Sequence, residues 1–468
     1  MALGPRLLPL LVTLVLPLAC SSEDAEAPDL GTAPTDVGPR DLGFLPNDAG
    51  IPDVGPNDTG VVADTGSQDQ GVPADVGPSD VGPNDTGPGD AGNFTARFTE
   101  RLLDNTFRHG QGGQVADLDG DGDDDVAIAS SLTDTVYLYL NENRNQSWTR
   151  VNVAPDGAIV AMDTAIADFD GDGDQDIAAV GLFTRVDGFG SPGEVTWYEN
   201  TGNPRQNWAT RPITGLTVLW PFRVEAADLT GDGRPDLVVT LGDPSGAAAG
   251  NGVRLYPWTG SGFGPAQTID DTLLDVGGVV VADIDGNGVL DVVAAGEASG
   301  QLAWYENNTP PGQTNGTPTF TRRNIASPPA PKFLGLANLD ADPAAELVVT
   351  ISRDNGAIVA YDPPADPRQP WSESTITADF GGGSTRFALA DYDRDGTIDV
   401  AAASNPAGTI RVFRRVSGVW GELPVADKFG VIWILGGDFD ADGRPDLITT
   451  TYEQSGTEDH VTLWRNEP

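Results

Sequence analysis

The chemistry that this sequence can do is concentrated in a nine-residue segment rich in aspartate, which occurs seven times. The copies begin at Asp117, Asp168, Asp228, Asp283, Asn338, Asp391 and Asp438. Positions one, three, five and nine carry oxygen-bearing side chains, and position six is glycine in every copy but one. Such carboxylates converge on one ion when the backbone turns at position six and position seven adds a carbonyl, as in the first part of an EF-hand loop. A set of hard oxygen ligands favours Ca²⁺ over Zn²⁺ and Mg²⁺.

Six of the seven segments are predicted to bind calcium through these four positions. Four copies carry only Asp there: Asp117, Asp119, Asp121, Asp125; Asp168, Asp170, Asp172, Asp176; Asp391, Asp393, Asp395, Asp399; and Asp438, Asp440, Asp442, Asp446. The third and fourth copies each contain one neutral oxygen, which predicts weaker binding: Asp228, Thr230, Asp232, Asp236; and Asp283, Asp285, Asn287, Asp291. The fifth copy has Asn338 first, Glu346 last and Pro343 at position six, where the ring bars a positive φ. Full calcium occupancy is not expected there.

The alternative interpretation is that these segments are only turns, which Asx hydrogen bonds make common. One copy fits that interpretation, but six matched copies pack like charges together, and such charges repel unless a cation joins them. With a Kd of about 10⁻⁴ M and about 1 mM calcium, each site would add about 1.4 kcal/mol to stability. The ions are therefore predicted to be structural first.

The elements that must position these segments are short strands. The segments recur every 47 to 60 residues, and an apolar run such as Val126–Ile128 or Leu237–Val239 follows directly. A Gly-rich turn and a second run, as in Trp304–Asn307, come next, and a further aromatic lies 18 to 20 residues before the following segment. Seven copies of each marker and no helical period predict an all-β fold, a seven-bladed β-propeller of four-stranded antiparallel blades over residues 94–468.

The two ends of this domain are predicted to pair. The last two strands end at Pro468 with no outer strand after them, whereas the stretch from Phe94 to Asp104 supplies a strand before the first Asp-rich segment. We therefore expect the N-terminal strand to complete the last blade and remove an exposed sheet edge.

These recurring segments resemble the FG-GAP or VCBS repeat family, whose best-known members are the propellers of integrin α chains. The resemblance covers about residues 94 to 468 and recurs seven times. It implies that the Asp-rich segments are calcium loops between the first and second strand of each blade. The family includes adhesion proteins and enzyme-associated domains, so it narrows the function only loosely.

The N-terminus predicts export. Residues 1–20 contain Arg6, an apolar run from Leu7 to Leu18, and then Ala19 and Cys20, the only cysteine in the chain. This is the layout of a signal peptide, with an apolar run too short for a membrane-spanning helix. Cys20 resembles a bacterial lipobox cysteine, which predicts a lipid anchor at an outer membrane or cell surface. The alternative is ordinary cleavage near Ala19 and secretion.

Residues 21–93 are predicted to be a disordered stalk. Short Asp, Gly and Pro units recur, with fifteen acidic residues against one basic residue. Gly and Pro at this density oppose regular structure, and the charges repel one another. The stalk would hold the propeller away from a membrane surface.

The acidic balance of the whole chain limits its partners. Twenty-six basic residues against 70 acidic ones give a formal charge of −44, which excludes nucleic acid and anionic lipid head groups as expected partners. Basic and aromatic residues recur in the segments that lead into the inner strands, on the face opposite the Asp-rich loops: Arg108, His109, Trp220, Arg223, Lys332, Arg386 and Trp433. This group, the ligand rim, is predicted to bind an acidic or carbohydrate ligand. The alternative is that these side chains fill the channel or pack between blades.

Three functions remain open from the sequence. The first is a calcium-stabilised, monomeric binding or adhesion module for an extracellular protein or carbohydrate. The second is a calcium-dependent enzyme acting on polysaccharide or phosphate substrates, and the third is a structural scaffold. Catalysis has little support, because His109 and His460 are the only histidines and no known nucleophile motif occurs.

Overall fold

A computed structural model describes residues 48–49, 97–153, 160–182, 192–206, 208–214, 218–243, 250–313, 316–340, 342–353, 355–381, 385–452 and 459–467. Cys20, the signal peptide and nearly all of the proposed stalk lie outside these residues. The described part of the chain contains no helix with the length and apolarity needed to cross a lipid bilayer.

The described chain forms seven sheets, each with four antiparallel strands side by side, and two of these sheets also contain a short fifth strand. From the inner to the outer strand, the first three blades are: Gly110–Ala116, Asp125–Ser130, Thr135–Glu142, Ser147–Asn152; Val160–Ala167, Asp176–Leu182, Pro192–Asn200, Trp208–Pro212; and Pro221–Ala227, Asp236–Leu241, Gly252–Tyr256, Gln267–Asp270. Blades four to six are: Val276–Ala282, Asp291–Gly296, Gln301–Asn307, Phe320–Ala326; Pro331–Ala337, Glu346–Ile351, Ile358–Asp362, Ser372–Thr377; and Thr385–Ala390, Asp399–Ser404, Thr409–Val416, Val419–Asp427.

Blade seven combines strands from both ends of the domain. Its inner three strands are Val431–Gly437, Asp446–Thr451 and Val461–Glu467, and its outer strand is Arg97–Asp104, which pairs with Val461–Glu467. Two short strands, Asp48–Ala49 and Val218–Leu219, pair with the inner strand of blade six and the third strand of blade two.

The blades form a closed ring. Each inner strand packs against the inner strands of both neighbouring blades, and the ring closes where Val431–Gly437 meets Gly110–Ala116. The predicted all-β, seven-bladed architecture of four-stranded blades is therefore confirmed.

The apolar runs of the sequence become the second strands of the blades. All six residues of Asp125–Ser130, Asp236–Leu241 and Asp291–Gly296 are buried, because neighbouring blades cover both faces of a strand in the middle of each sheet. Strands buried on both faces have continuous rather than alternating apolar sequences.

In two blades, the aromatic marker at or before the outer strand packs against the Asp-rich segment of the preceding blade. Trp148 in blade one lies 5.7 Å from Phe439, centroid to centroid, and Phe263 in blade three lies 5.2 Å from Phe169. Phe439 and Phe169 occupy the second position of their Asp-rich segments and are buried. The side chain between the first two acidic positions is therefore an anchor that joins adjacent blades.

Candidate cation-binding loops

The seven Asp-rich segments lie where the first strand of each blade turns into the second. Among the described residues, six groups place one ligand atom from each of three or more acidic residues within 4.8 Å of the others. Five of them are Asp117, Asp119, Asp125; Asp168, Asp170, Asp172; Asp283, Asp285, Asp291; Asp340, Asp342, Glu346; and Asp391, Asp393, Asp399. The fold thus gathers the predicted ligands into separate clusters, one for each of these blades.

The first aspartate of each loop shapes the turn. The amide of the glycine at position six donates to this carboxylate at 2.7 to 3.1 Å in six loops, as in Gly122 to Asp117 and Gly443 to Asp438. These glycines have φ between +80° and +99°, a region that residues with a Cβ seldom adopt. The backbone conformation of the turn therefore explains why position six is glycine.

The carboxylate at position nine of each segment is buried at the start of the second strand of its blade. Asp125, Asp176, Asp236 and Asp291 have no exposed surface. Asp125 accepts hydrogen bonds from the amide of Leu118 in its loop at 2.9 Å and from the amide of Asn141 in the third strand at 2.7 Å. These two bonds connect the loop to the sheet.

Burial of these carboxylates disfavours their charged form. Burial is the largest cause that raises the pKa of Asp125, Asp176 and Asp291 from 3.8 to about 7, and that of Asp399 and Asp446 to about 8. Repulsion by the other loop carboxylates adds to the shift. Without a cation, these positions are costly places for negative charge.

Several buried oxygens of these loops have no hydrogen-bond partner among the described residues. They are Asp446 Oδ2, Glu346 Oε1 and Thr230 Oγ1. Buried oxygens need a donor or a cation, and carboxylate and hydroxyl oxygens are hard ligands of the kind that Ca²⁺ binds. The donor set therefore fits a calcium ion, which the acidic side chains and the carbonyl at position seven would hold.

The fifth loop also forms an acidic cluster, while its reduced calcium occupancy stays a prediction. It gathers three carboxylates, Asp340, Asp342 and Glu346, although Pro343 occupies position six and the side chain of Asn338 donates to the carbonyl of Asp342. The cluster forms because the third, fifth and ninth positions remain acidic, whereas the sequence interpretation gave most weight to the first and sixth.

Arginines pair with the carboxylate at position three of several loops. The sequence interpretation did not include these ion pairs. Three of them come from the following blade: Arg205 lies 2.6 Å from Asp119, Arg368 2.6 Å from Asp285, and Arg415 3.2 Å from Asp340. In blades six and seven, the partners come from the same blade: Arg414 with Asp393, and Arg465 with Asp440. These ion pairs supply part of the positive charge that the loops need.

An asparagine at the end of the third strand links neighbouring loops. The side-chain amide of Asn141 donates to the Phe439 carbonyl at 2.7 Å, that of Asn307 to Leu229 at 3.1 Å, and that of Asn466 to Tyr392 at 2.8 Å. Each acceptor is the second residue of the preceding blade's loop. The backbone N–H of each asparagine also donates to the carboxylate at position nine of its own blade. The sequence showed this asparagine only as a strand marker.

Replacing Asn307 by Ala is expected to destabilise the propeller by about 3 kcal/mol. The Asn307 side chain is buried, donates to the carbonyls of Leu229 and Leu290, and accepts from Thr309, so its loss leaves buried polar groups unsatisfied. Thermal unfolding in calcium measures the effect. The matched control is Asn308→Ala: Asn308 is exposed, so its loss should cost about 0.5 kcal/mol or less. Equal effects of the two substitutions would contradict the inter-blade role.

The ligand-rim residues occupy two environments. Five are buried, namely Trp220, Arg223, Lys332, Arg386 and Trp433, whereas Arg108 and His109 are partly exposed. Arg223 lies 3.3 Å from Asp163, Lys332 lies 2.8 Å from Glu297, and Arg386 lies over the Phe333 ring at 3.9 Å. These contacts agree with the alternative interpretation, in which the side chains pack within the propeller and do not bind a ligand. Ligand binding on this face stays a prediction.

Backbone strain on this face belongs to the architecture of the blades. His109, Trp220, Asp275 and Ala330 have φ between +48° and +52°. Each stands directly before an inner strand. A conformation shared by four blades marks the bend into the inner strand and does not single out His109.

Two carboxylates near Arg223, one buried and one partly buried, were not among the candidate site residues of the sequence interpretation. Asp163 and Glu225 lie on the inner strands of blades two and three. Burial is the main cause that raises the pKa of Asp163 to about 6 and that of Glu225 to about 8, while Arg223 opposes the shift. Their proximity depends on two blades being adjacent, which no local motif shows.

Comparison with known proteins agrees with this architecture. The FG-GAP-like repeat family matches residues 117–179, 182–239 and 391–449. These ranges cover the loops of blades one, two, three, six and seven, because each of the three matches ends within the second strand of a blade, just after that blade's loop. A search of curated proteins finds no match.

Two solved structures illustrate the distant similarities of the whole chain. One is a lectin of Agrocybe aegerita that recognises non-reducing terminal N-acetylglucosamine, with 18% identity over 77% of this chain and 86% of that chain and a TM-score of 0.47. The other is BBS1N in complex with ARL6DN, soaked with mercury, with 13% identity over 80% of this chain and 98% of that chain and a TM-score of 0.48. Neither similarity bears on the ligand of this chain. Repeat matches and blade topology together identify the chain as a seven-bladed β-propeller that contains FG-GAP-like repeats.

Proposed function

We propose that this protein is a calcium-stabilised, extracellular binding module. The observation that carries the proposal is the set of separate acidic clusters, each at the turn between the first and second strand of its blade. Each cluster contains more carboxylate than the nearby arginines neutralise, and its oxygen donors match the ligands of Ca²⁺. Calcium would remove the repulsion within each loop and fix the loop against its sheet.

The binding role rests on the fold and its two faces. Propellers expose the loops of every blade around a ring, and the clusters commit one face to cations. The opposite face carries Arg108 and His109, which are partly exposed, and Phe429, whose exposed fraction is 71%. We assign the contact with an extracellular protein or carbohydrate to this face, where aromatic stacking and arginine pairing are available.

The proposed location follows from the N-terminus and the repeats. FG-GAP-like repeats are typical of extracellular proteins, and residues 1–20 have the layout of a signal peptide. We propose that Cys20 receives a lipid anchor and that residues 21–93 act as a spacer. Labelling with a fatty-acid analogue tests this directly: wild type should incorporate label, and Cys20→Ser should not. Equal labelling of both proteins would overturn the anchor.

Single-loop variants test the calcium sites. Asp117→Asn removes a charge at the first position of loop one, so the chain should bind one calcium ion fewer at about 0.1 mM free calcium, near the affinity expected for extracellular sites. Asp123→Asn is the matched control, because position seven is assigned only a backbone carbonyl. Native mass spectrometry counts the ions. An unchanged count in Asp117→Asn, or an equal loss in both variants, would contradict the assignment.

A further inference from the structure

A pocket of about 550 Å³ lies at the seam where blade seven meets blade one. Thr99 and Arg101 come from the N-terminal strand, and Leu463, Arg465 and Glu467 come from the C-terminal strand beside it. A turn of blade one and calcium loop seven complete the lining with Arg144, Asn145, Gln146 and Asp440. We call this cavity the seam pocket. Its volume is within the usual range for small-molecule sites.

Arginine is concentrated in the seam pocket. Three of its nine lining residues are Arg101, Arg144 and Arg465, in a chain with only 26 basic residues among 468. The two acidic lining groups, Asp440 and Glu467, leave an excess of positive charge. Such a concentration is notable in a chain of formal charge −44.

The turn that carries Arg144 is held in an uncommon conformation. Asn143, Arg144 and Asn145 have φ of 57°, 55° and 65°, a region that non-glycine residues adopt rarely. Arg101 fixes this turn from the neighbouring blade by donating to Asn145 Oδ1 at 2.8 Å and to the Gln146 carbonyl at 3.1 Å. Strain that neighbouring residues maintain is often found at ligand sites.

Two of the arginines remain available to a ligand. The Arg144 side chain is 70% exposed and lies 3.8 Å from Asp123, which is too long for a hydrogen bond. The Arg465 side chain is 40% exposed and pairs with Asp440 and, at 3.5 Å, with Glu467. Guanidinium groups bind carboxylate, sulfate and phosphate oxygens through paired N–H donors.

We propose that the seam pocket binds an oxyanion group of a small ligand, with Arg144 and Arg465 as its direct partners. Arg101 positions the turn. Thr99, Asn145 and Gln146 add polar groups for the rest of the ligand. A carboxylate and a sulfate or phosphate ester share this chemistry.

The pocket is coupled to calcium loop seven through Asp440, and this part rests on the proposed calcium function. Asp440 is both the partner of Arg465 and a proposed calcium ligand. When calcium binds Asp440, Arg465 has less negative charge beside it and attracts an oxyanion more strongly. By linkage, the oxyanion then strengthens calcium binding at loop seven by the same factor.

Equilibrium dialysis of the full chain against radiolabelled sulfate tests the proposal, first with metal-stripped protein and then in 2 mM calcium. We expect one saturable site, bound more tightly in calcium, with about tenfold weaker binding in Arg144→Gln and in Arg465→Gln, the loss expected for one charge-assisted contact. Arg353→Gln, at an exposed arginine outside the pocket, is the control. Displacement of sulfate by glucuronate would identify the carboxylate as a ligand, and displacement by a phosphate monoester alone would identify the ester.

Each outcome decides a part of the proposal. Absence of saturable sulfate and glucuronate binding, or binding that both arginine variants leave unchanged, would overturn the site. Arginine-dependent binding that calcium does not alter would support the pocket and overturn its coupling to loop seven. An ion count on the same samples separates that result from failure of the calcium sites themselves, and circular dichroism confirms that the variants are folded.

Discussion

Removal of divalent cations is expected to lower the unfolding temperature of the propeller by about 10 °C. Six sites with a Kd of about 10⁻⁴ M in about 1 mM calcium would together contribute about 8 kcal/mol. A domain of about 370 residues has an unfolding entropy near 0.8 kcal/mol per kelvin, which converts this loss into the expected shift. Calorimetry in EGTA and in calcium at pH 7.5 measures it.

Two further features of this titration distinguish specific sites from general charge screening. The unfolding temperature should rise with calcium and saturate, and 0.15 M NaCl should not replace calcium, because clustered carboxylates require a multivalent ion held by several ligands. A rise that salt reproduces without calcium would assign the stabilisation to screening of the −44 formal charge.

The fall of stability with rising pH is expected to become shallower when calcium is added. Burial raises the pKa of the carboxylates at position nine of the loops from 3.8 to values such as about 7 for Asp125 and about 8 for Asp446. Between about pH 4 and pH 8, the cation-free folded protein therefore holds protons that the unfolded chain has released, so its stability falls as pH rises. About 1 mM calcium at a Kd of about 10⁻⁴ M adds at most about 1.4 kcal/mol per site, and it does so at high pH, where the carboxylates are ionised. In calcium, stability should therefore still fall as pH rises, but less steeply.

Asp446→Asn isolates one of these carboxylates. In metal-stripped protein at pH 8 the substitution removes a buried charge and should raise the unfolding temperature by about 2 °C or more. In calcium it also removes a ligand, so the rise should be smaller by about 2 °C. Asp427→Asn, at an exposed position in blade six, is the control, and its effect should be the same with and without calcium. Parallel pH profiles with and without calcium, or an equal effect of Asp446→Asn in both conditions, would contradict calcium binding by these carboxylates. Metal-stripped buffers are required because EGTA chelates poorly at low pH.

Much of the architecture could be predicted because its signals are local and recur. Each loop is a contiguous segment, and the strand after it, such as Asp125–Ser130 or Asp236–Leu241, begins at the ninth carboxylate itself. The spacing of these markers therefore gives the number of blades and most strand positions. A glycine with positive φ, such as Gly122, is likewise a requirement of its own turn.

The remaining features depend on which blades are adjacent, and local sequence does not encode that. Asn141 reaches the carbonyl of Phe439, 298 positions away, only because the ring closes between blades one and seven. The pairing of Arg205 with Asp119 and the burial of Arg223 beside Asp163 have the same origin. The basic residues of the inner strands were noticed for their charge, whereas their contacts follow from the geometry of the ring.

Calcium held by the acidic loops is the property on which the proposed function depends. Metal-stripped chain equilibrated with 1 mM calcium and counted by native mass spectrometry tests it most directly. About six specifically bound calcium ions per chain are expected, since six of the seven loops carry the oxygen ligands at positions one, three, five and nine that calcium binds. A chain that retains no calcium or a single ion while remaining folded would contradict the claim and leave the acidic loops as turns held by their own hydrogen bonds.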